Sequence, residues 1–318
     1  MGCYKFAKNK SYVVFSLIFR QFCRSALADY IVSCYIGRMT KLMIIWDYDT
    51  PIARITASKP YNYVFESCLE EEGHVNYILD VARQLGARFT FAVLGFGAEA
   101  TVAPFDVRHV IRRIAAEGHE VASHSWKHEW LPYLTKYQLD KTLERSKLIL
   151  EECVAAGYTV NGFVLPHDRP MSWYSRMAFS AGDRTIYPFF PGASIDGVAK
   201  SLKHQGYKWM RVNYRPMWQK FVDWKGVNIN FRLARRFTSE GGFHFVPEHS
   251  MEFGKPTMDA LQYAIRKGQP LVVAGHPGAF SFRNENFDNF NRFMDTVAGH
   301  IARREIELIT VSEYLHLQ

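Results

Sequence analysis

The run Leu42-Met43-Ile44-Ile45-Trp46 constrains this chain more than any other stretch. Five consecutive large apolar side chains without alternation suit a strand covered on both faces, as in a parallel sheet with helices packed outside it. The run ends in Asp47-Tyr48-Asp49, so two carboxylates at i, i+2 leave the strand on one side. Downstream, apolar spacing predicts a helix over 73–86, a strand over 88–94, a helix over 107–116 and a strand over 120–123. Further units follow: a helix over 138–156, a strand over 162–165, a helix over 194–205, a strand over 208–212, a helix over 257–267 and a strand over 270–274. A helix over 287–303, a strand over 307–309 and a last apolar segment over 311–315 close the chain. Repeated βα alternation implies parallel strands joined by right-handed crossovers. With 318 residues, 48% of them hydrophobic, the chain can bury one large core.

The third predicted strand leads into Gly118-His119-Glu120-Val121-Ala122-Ser123-His124-Ser125-Trp126-Lys127-His128. Neutral imidazole is the commonest protein ligand for zinc-like ions, and an i, i+4 pair on a helical turn puts both rings on one face. Taken alone, such a pair also fits two surface histidines on a turn. An aspartate at a strand end, taken alone, reads as a turn former, and His276 before Pro277-Gly278 as a loop histidine. In a barrel of βα units, however, chemistry gathers at the carboxyl ends of the strands. Asp47, Asp49, His124, His128 and His276 all fall there, and one shared site accounts for all five.

Charge narrows the partners. The formal net charge is +8, but residues 1–41 hold seven Lys/Arg against Asp29 alone, which leaves the body nearly neutral and argues against a nucleic-acid-coating surface. Within the body, residues 211–236 carry seven Lys/Arg and one Asp. The surrounding stretch from Asn213 to His249 is also aromatic, with Tyr214, Trp218, Trp224, Phe243 and His244 beside Arg215, Arg232, Arg235 and Arg236. Sugars stack on aromatic faces and arginines grip phosphates, although the same residues also serve as a barrel cap with solvated charges.

Residues 1–41 read as an appendage to a barrel over 42–318. Lys5, Lys8 and Lys10 precede the apolar run 12–19, and Ala26-Leu27-Ala28 has the look of a signal-peptide cleavage site. Arg20 and Arg24 interrupt the pattern, and the run is too short to span a bilayer, so no integral membrane span is expected. Met39 and Met43 offer alternative starts just before and within the first strand. Cys3, Cys23 and Cys34 lie in the appendage and only Cys68 and Cys153 in the body, so no disulfide framework is visible and a reduced, cytoplasmic setting is expected.

Asp47-Tyr48-Asp49 together with the His124–His128 motif resembles the polysaccharide deacetylase family with its NodB homology domain, over roughly residues 42–315; Gly86-Ala87-Arg88-Phe89-Thr90-Phe91 and Leu308-Ile309-Thr310 sit where that family has its second and last strands. The resemblance implies a deformed (β/α) barrel with parallel strands. It implies that Asp49, His124 and His128 hold one divalent metal ion, zinc by preference, with cobalt, nickel or manganese also compatible with an N/O donor set. Asp47 would be the base, His276 the acid, and the backbone N–H of His167 the oxyanion donor. The family's third motif usually carries an arginine that orients the catalytic Asp, and here Val164 stands at that position; Arg169 is an alternative source, and Asp223-Trp224 is a candidate for the fourth motif. Trp218 and His244 complete the candidate substrate contacts. The implied function is hydrolytic removal of an N-acetyl group from a polymeric, lipid-linked or nucleotide-linked sugar in glycan assembly. Two alternatives follow from the same residues. One is a glycan-binding barrel with an impaired site, suggested by Val164; the other is a non-haem metal enzyme using the same two-His, one-carboxylate triad.

Overall fold

The long apolar run forms β1 (Thr40–Tyr48), buried along nearly all of its length, and the sheet is built outward from it. The computed structural model describes residues 39–57, 65–168, 177–179, 189–191, 195–212, 236–281 and 284–317. After β1 come α1 (Thr50–Ala57), α2 (Phe65–Leu85), β2 (Thr90–Val93), α3 (Gly95–Glu99), α4 (Arg108–Ala116), β3 (Glu120–Ser123), α5 (Lys136–Val154) and β4 (Gly162–Val164). The second half comprises β5 (Met177–Phe179), β6 (Phe189–Pro191), α6 (Ile195–His204), β7 (Trp209–Val212), β8 (Thr238–Glu240), β9 (Phe243–Pro247), β10 (Ser250–Met251), α7 (Lys255–Lys267), β11 (Leu271–Gly275), α8 (Asn284–Ala302), β12 (Ile306–Leu308) and α9 (Val311–Tyr314).

The main sheet runs β10-β11-β1-β2-β3-β4-β7-β9-β8, with β12 beside the first residues of β1. The pairings in it are parallel, as expected, except for β8 with β9, which add an antiparallel hairpin at one edge; β5 and β6 form a separate antiparallel pair. The sheet curls into a half-barrel whose two ends are not paired with each other among the described residues. Instead the chain itself crosses the opening: Glu248 N donates to Val212 O at the end of β7, and His249 N donates to Val272 O on β11.

Strand alternation sorts the side chains into two layers. Leu42, Ile44, Trp46, Phe91, Val121, Phe163 and Val273 pack under the helices, against Val75, Ile78, Val110, Leu143, Leu261 and Phe290. Met43, Ile45, Ala92, Ala122, Val164, Trp209, Val246 and Val272 fill the inside of the curl. The interior is narrow, and Gly162 shows how narrow: a Cβ there would lie 2.0 Å from the Trp209 indole. That indole donates to Glu120 Oε1 (3.1 Å), whose carboxylate also accepts from Thr90 Oγ1 and from the backbone N–H of Ser312, so α9 is tied across the floor of the curl. The same parity, continued towards the carboxyl ends, turns Asp47, His124, Arg211, Glu248 and His276 into the mouth.

Most predicted elements are present with shifted ends. The helix expected over 73–86 starts eight residues earlier, at Phe65, because Glu70, Glu71 and Glu72 interrupt the apolar spacing although Glu71 is itself buried. The short α1 and α3 and the strands β8, β9 and β10 were not predicted; β9 lies in the stretch read as aromatic and basic. Among the described residues no helix is long and apolar enough to cross a membrane.

Candidate active site

The three metal-ligand candidates converge. Asp49, one residue past β1, places its Oδ1 3.4 Å from His124 Nε2 and 3.4 Å from His128 Nε2, and the three donor atoms lie within 4.8 Å of one another. Oδ1 is buried yet meets no hydrogen-bond partner among the described residues, the arrangement expected of a carboxylate oxygen shaped to share a cation with two imidazoles. Burial alone would raise the Asp49 pKa, but His128, His124 and His276 together hold it well below the usual carboxylate range. His124 Nδ1 lies 3.0 Å from Val164 O, so that carbonyl fixes the tautomer that leaves Nε2 free to ligate. Two nitrogens and one oxygen around an open space suit a zinc-like divalent ion.

The geometry that unites the histidines is not the expected helical turn. Residues 124–128 form a bend in which Ser125 (φ 72°) and His128 (φ 61°) adopt left-handed backbone. This costly conformation is held from several directions. Ser146 of α5 donates to Ser125 O (2.8 Å) and shares a hydrogen bond with Ser123 Oγ, Gly95 N donates to Ser125 O, and Ser125 Oγ accepts from His128 N. Trp126 donates through Nε1 to Glu99 (2.7 Å) while the Arg145 guanidinium stacks 3.7 Å from its ring.

Asp47 and His276 face one another beside this cluster. His276 Nε2 is 3.7 Å from Asp47 Oδ2. Burial opposes charge on His276, but a 2.7 Å hydrogen bond from Nδ1 to Glu252, that carboxylate's charge, and the nearby Asp47 and Asp49 outweigh it and lift its pKa to about 10. Asp47 accepts from both terminal nitrogens of Arg211, Nη1 to Oδ1 and Nη2 to Oδ2, each at 2.6 Å. Such a fork fixes the plane of the carboxylate. Behind it Arg211 Nε lies 3.4 Å from Glu248 Oε2, and both residues are fully buried.

Arg211, Glu248 and Glu252 were missed from the sequence. Arg211 was counted only in a basic stretch, yet it is a lone charge near the end of a buried strand. Val164 pairs in register with Arg211, so the guanidinium missing from β4 is supplied one strand over, from β7. The orienting role suggested for Arg169 is therefore filled by Arg211. Arg169, Trp218, Asp223 and Trp224 lie outside the described residues. His167 is brought to the rim: its ring stacks on Trp130 (4.3 Å), meets His128 edge-on (4.0 Å), and places Nε2 3.2 Å from His128 O. His244 is not brought to the mouth. It pairs with Trp209 at the start of β9, towards the floor, because β9 runs parallel to β7.

Comparison with known proteins agrees with this picture. The family model described as polysaccharide deacetylase matches residues 55–177, which include both candidate ligand histidines, His124 and His128. A Mycobacterium smegmatis protein classed among the polysaccharide deacetylases shares the fold at TM-score 0.61 and 16% identity, over 88% of this chain and 90% of that one. A solved structure named as PuuE allantoinase is similar at TM-score 0.57 and 14% identity, over 87% and 88%. The His-motif segment thus matches the polysaccharide deacetylase family model, and the chain as a whole has the NodB-type curled-barrel fold of these neighbours.

Proposed function

We propose that this chain is a metal-dependent hydrolase that removes the N-acetyl group of a sugar or glycan in surface-polysaccharide or glycan biosynthesis, in a cytoplasmic setting. The observation that supports it most is the meeting, at one barrel mouth, of an Asp-His-His donor set with an arginine-held aspartate that faces a cationic histidine. Amide hydrolysis needs a nucleophile at neutral pH, stabilisation of charge on the carbonyl oxygen, and a proton for the leaving amine. A divalent ion held by Asp49, His124 and His128, zinc by preference, would supply Lewis acidity and lower the pKa of water. Asp47 takes the proton of the attacking water, with its carboxylate plane fixed by Arg211. His276 keeps its proton at neutral pH and gives it to the amine nitrogen as the C–N bond breaks, leaving acetate and a free amine. The backbone N–H of His167 is assigned to the carbonyl oxygen, and the aromatic and basic stretch after Asn213 to the sugar.

Acetate release from N-acetylated chitooligosaccharides and from a nucleotide-linked N-acetyl sugar tests the reading, with hydrolytic ring opening of allantoin, followed as loss of the cyclic amide, as a third arm because a solved neighbour is named for it. Turnover by metal-loaded protein, abolished by Asp47→Asn with metal retained, is the expected result. Glycan binding without turnover would overturn it in favour of a binding barrel. The ground for that alternative was Val164; the Arg211 guanidinium on Asp47 supports the catalytic reading instead. Oxygen-dependent turnover would instead point to the non-haem class.

A further inference from the structure

A second buried charge pair lies behind the mouth and has no part in the chemistry above. Arg54 on α1 and Glu71 on α2 are both buried, with Arg54 Nε 3.6 Å from Glu71 Oε2. Two apolar side chains would fill that space at a lower desolvation cost. They could not hold a carbonyl, and Arg54 does: its Nη2 donates to Gly278 O at 3.0 Å, in the turn immediately after His276. His74, one helical turn along α2 from Glu71, lies beside the backbone of the neighbouring Pro277. Gly278 is the residue that allows this approach, since a Cβ there would stand 2.2 Å from Arg54 Nη2 and 3.2 Å from Glu71 Oε1. The helix that carries Arg54 begins directly after Asp49, at Thr50, which is buried and held at φ 55°. One short helix thus joins the carboxylate of the donor set to the turn that carries the acid.

We propose that Arg54, backed by Glu71, is a positioning residue that locks the His276-Pro277-Gly278 turn at a set distance from Asp49. The kinetic arm of its test rests on the deacetylase reading; a labelling arm does not. Arg54→Met, Glu71→Gln and Gly278→Ala are compared with the parent on two acetyl donors: an N-acetylated chitooligosaccharide, whose amine must be protonated to leave, and 4-nitrophenyl acetate, whose phenolate leaves without a proton. Misplaced general-acid groups cost up to about 100-fold. The expected result is a loss of roughly 10- to 100-fold in kcat on the amide with KM within about 2-fold, a far smaller change on the ester, and metal content equal to the parent. Separately, carbethoxylation of His276 by diethyl pyrocarbonate, followed by mass spectrometry on metal-free protein, is expected to be faster in all three variants. Equal losses on both substrates with unchanged His276 labelling would reduce the pair to a structural role and overturn the proposal. So would variants that match the parent in both assays. Should Arg54→Met fail to fold, Gly278→Ala leaves both charges in place and carries the same expectations. Should the parent hydrolyse neither donor, the deacetylase reading falls and the clamp is judged by the labelling alone.

Discussion

Each metal-ligand candidate has a single job, which makes the first test direct. Asp49→Ala, His124→Ala and His128→Ala each remove one of three donors, and each variant is expected to purify with well under one divalent ion per chain. Full occupancy by elemental analysis in all three would refute the site. His276 depends on Glu252 in a way that sets a pH dependence. The carboxylate favours the imidazolium and raises its pKa to about 10, so His276 holds its proton at neutral pH and loses it only as the pH rises through that value. Glu252→Gln removes the main stabilising charge, and the alkaline limb of kcat/KM is expected to move to lower pH; an unmoved limb would assign it to another group. Arg211 is the third residue whose removal is informative. Arg211→Val takes the guanidinium away from the buried Asp47 and Glu248, and breaking a buried pair in this way costs about 3–5 kcal/mol, readable as a lower denaturation midpoint. Adding Val164→Arg to that variant returns a guanidinium from the adjacent strand position, and part of the lost stability and turnover is expected to return with it.

The bend between the two histidines draws its shape from neighbouring elements. Its left-handed residues Ser125 and His128 join Thr50, His167 and Glu252 as non-glycine residues at positive φ around the mouth, so strain is concentrated where the candidate ligands and the Glu252 partner of His276 are aimed. The bend is pinned to α5 through Ser146 and to α3 through Gly95, Phe96 and Glu99. Residues that orient a ligand usually contribute 10- to 100-fold to metal affinity, and Ser146→Ala and Trp126→Ala are each expected to weaken metal binding by roughly 10-fold while the chain stays folded. Chelator competition measures this. Parental affinity in both variants would mean the bend holds its shape unaided.

For the whole molecule, β1 is the organising strand: β11, β2 and β12 all pair with it, and its backbone N–H at Thr40 bonds Glu305 O at the far end of the chain. Residues 1–38 lie outside the described residues. A chain starting at Met39 retains the whole of β1 and is expected to fold and load metal like the parent, by thermal melting and elemental analysis. Loss of soluble, metal-loaded protein on that truncation would make the preceding segment part of the core.

The sequence by itself determined the class of fold and most of the residues that meet at the candidate site. Unbroken apolar strands such as 42–46 require cover on both faces, and the polar residues at their carboxyl ends have only the mouth to occupy; that is why Asp47, Asp49, His124, His128 and His276 were legible before any coordinates. Tertiary structure decided what joins elements far apart in the chain. Arg211 reaches Asp47 across 164 positions, and no local period marks a residue whose partner is fixed by strand order. Glu248 and Glu252 gain their meaning from the segment that crosses the open side of the sheet, and Arg54 from a carbonyl 224 positions away. Side-chain patterns report how a residue faces its own strand or helix; which strand becomes its neighbour is set by how the sheet curls.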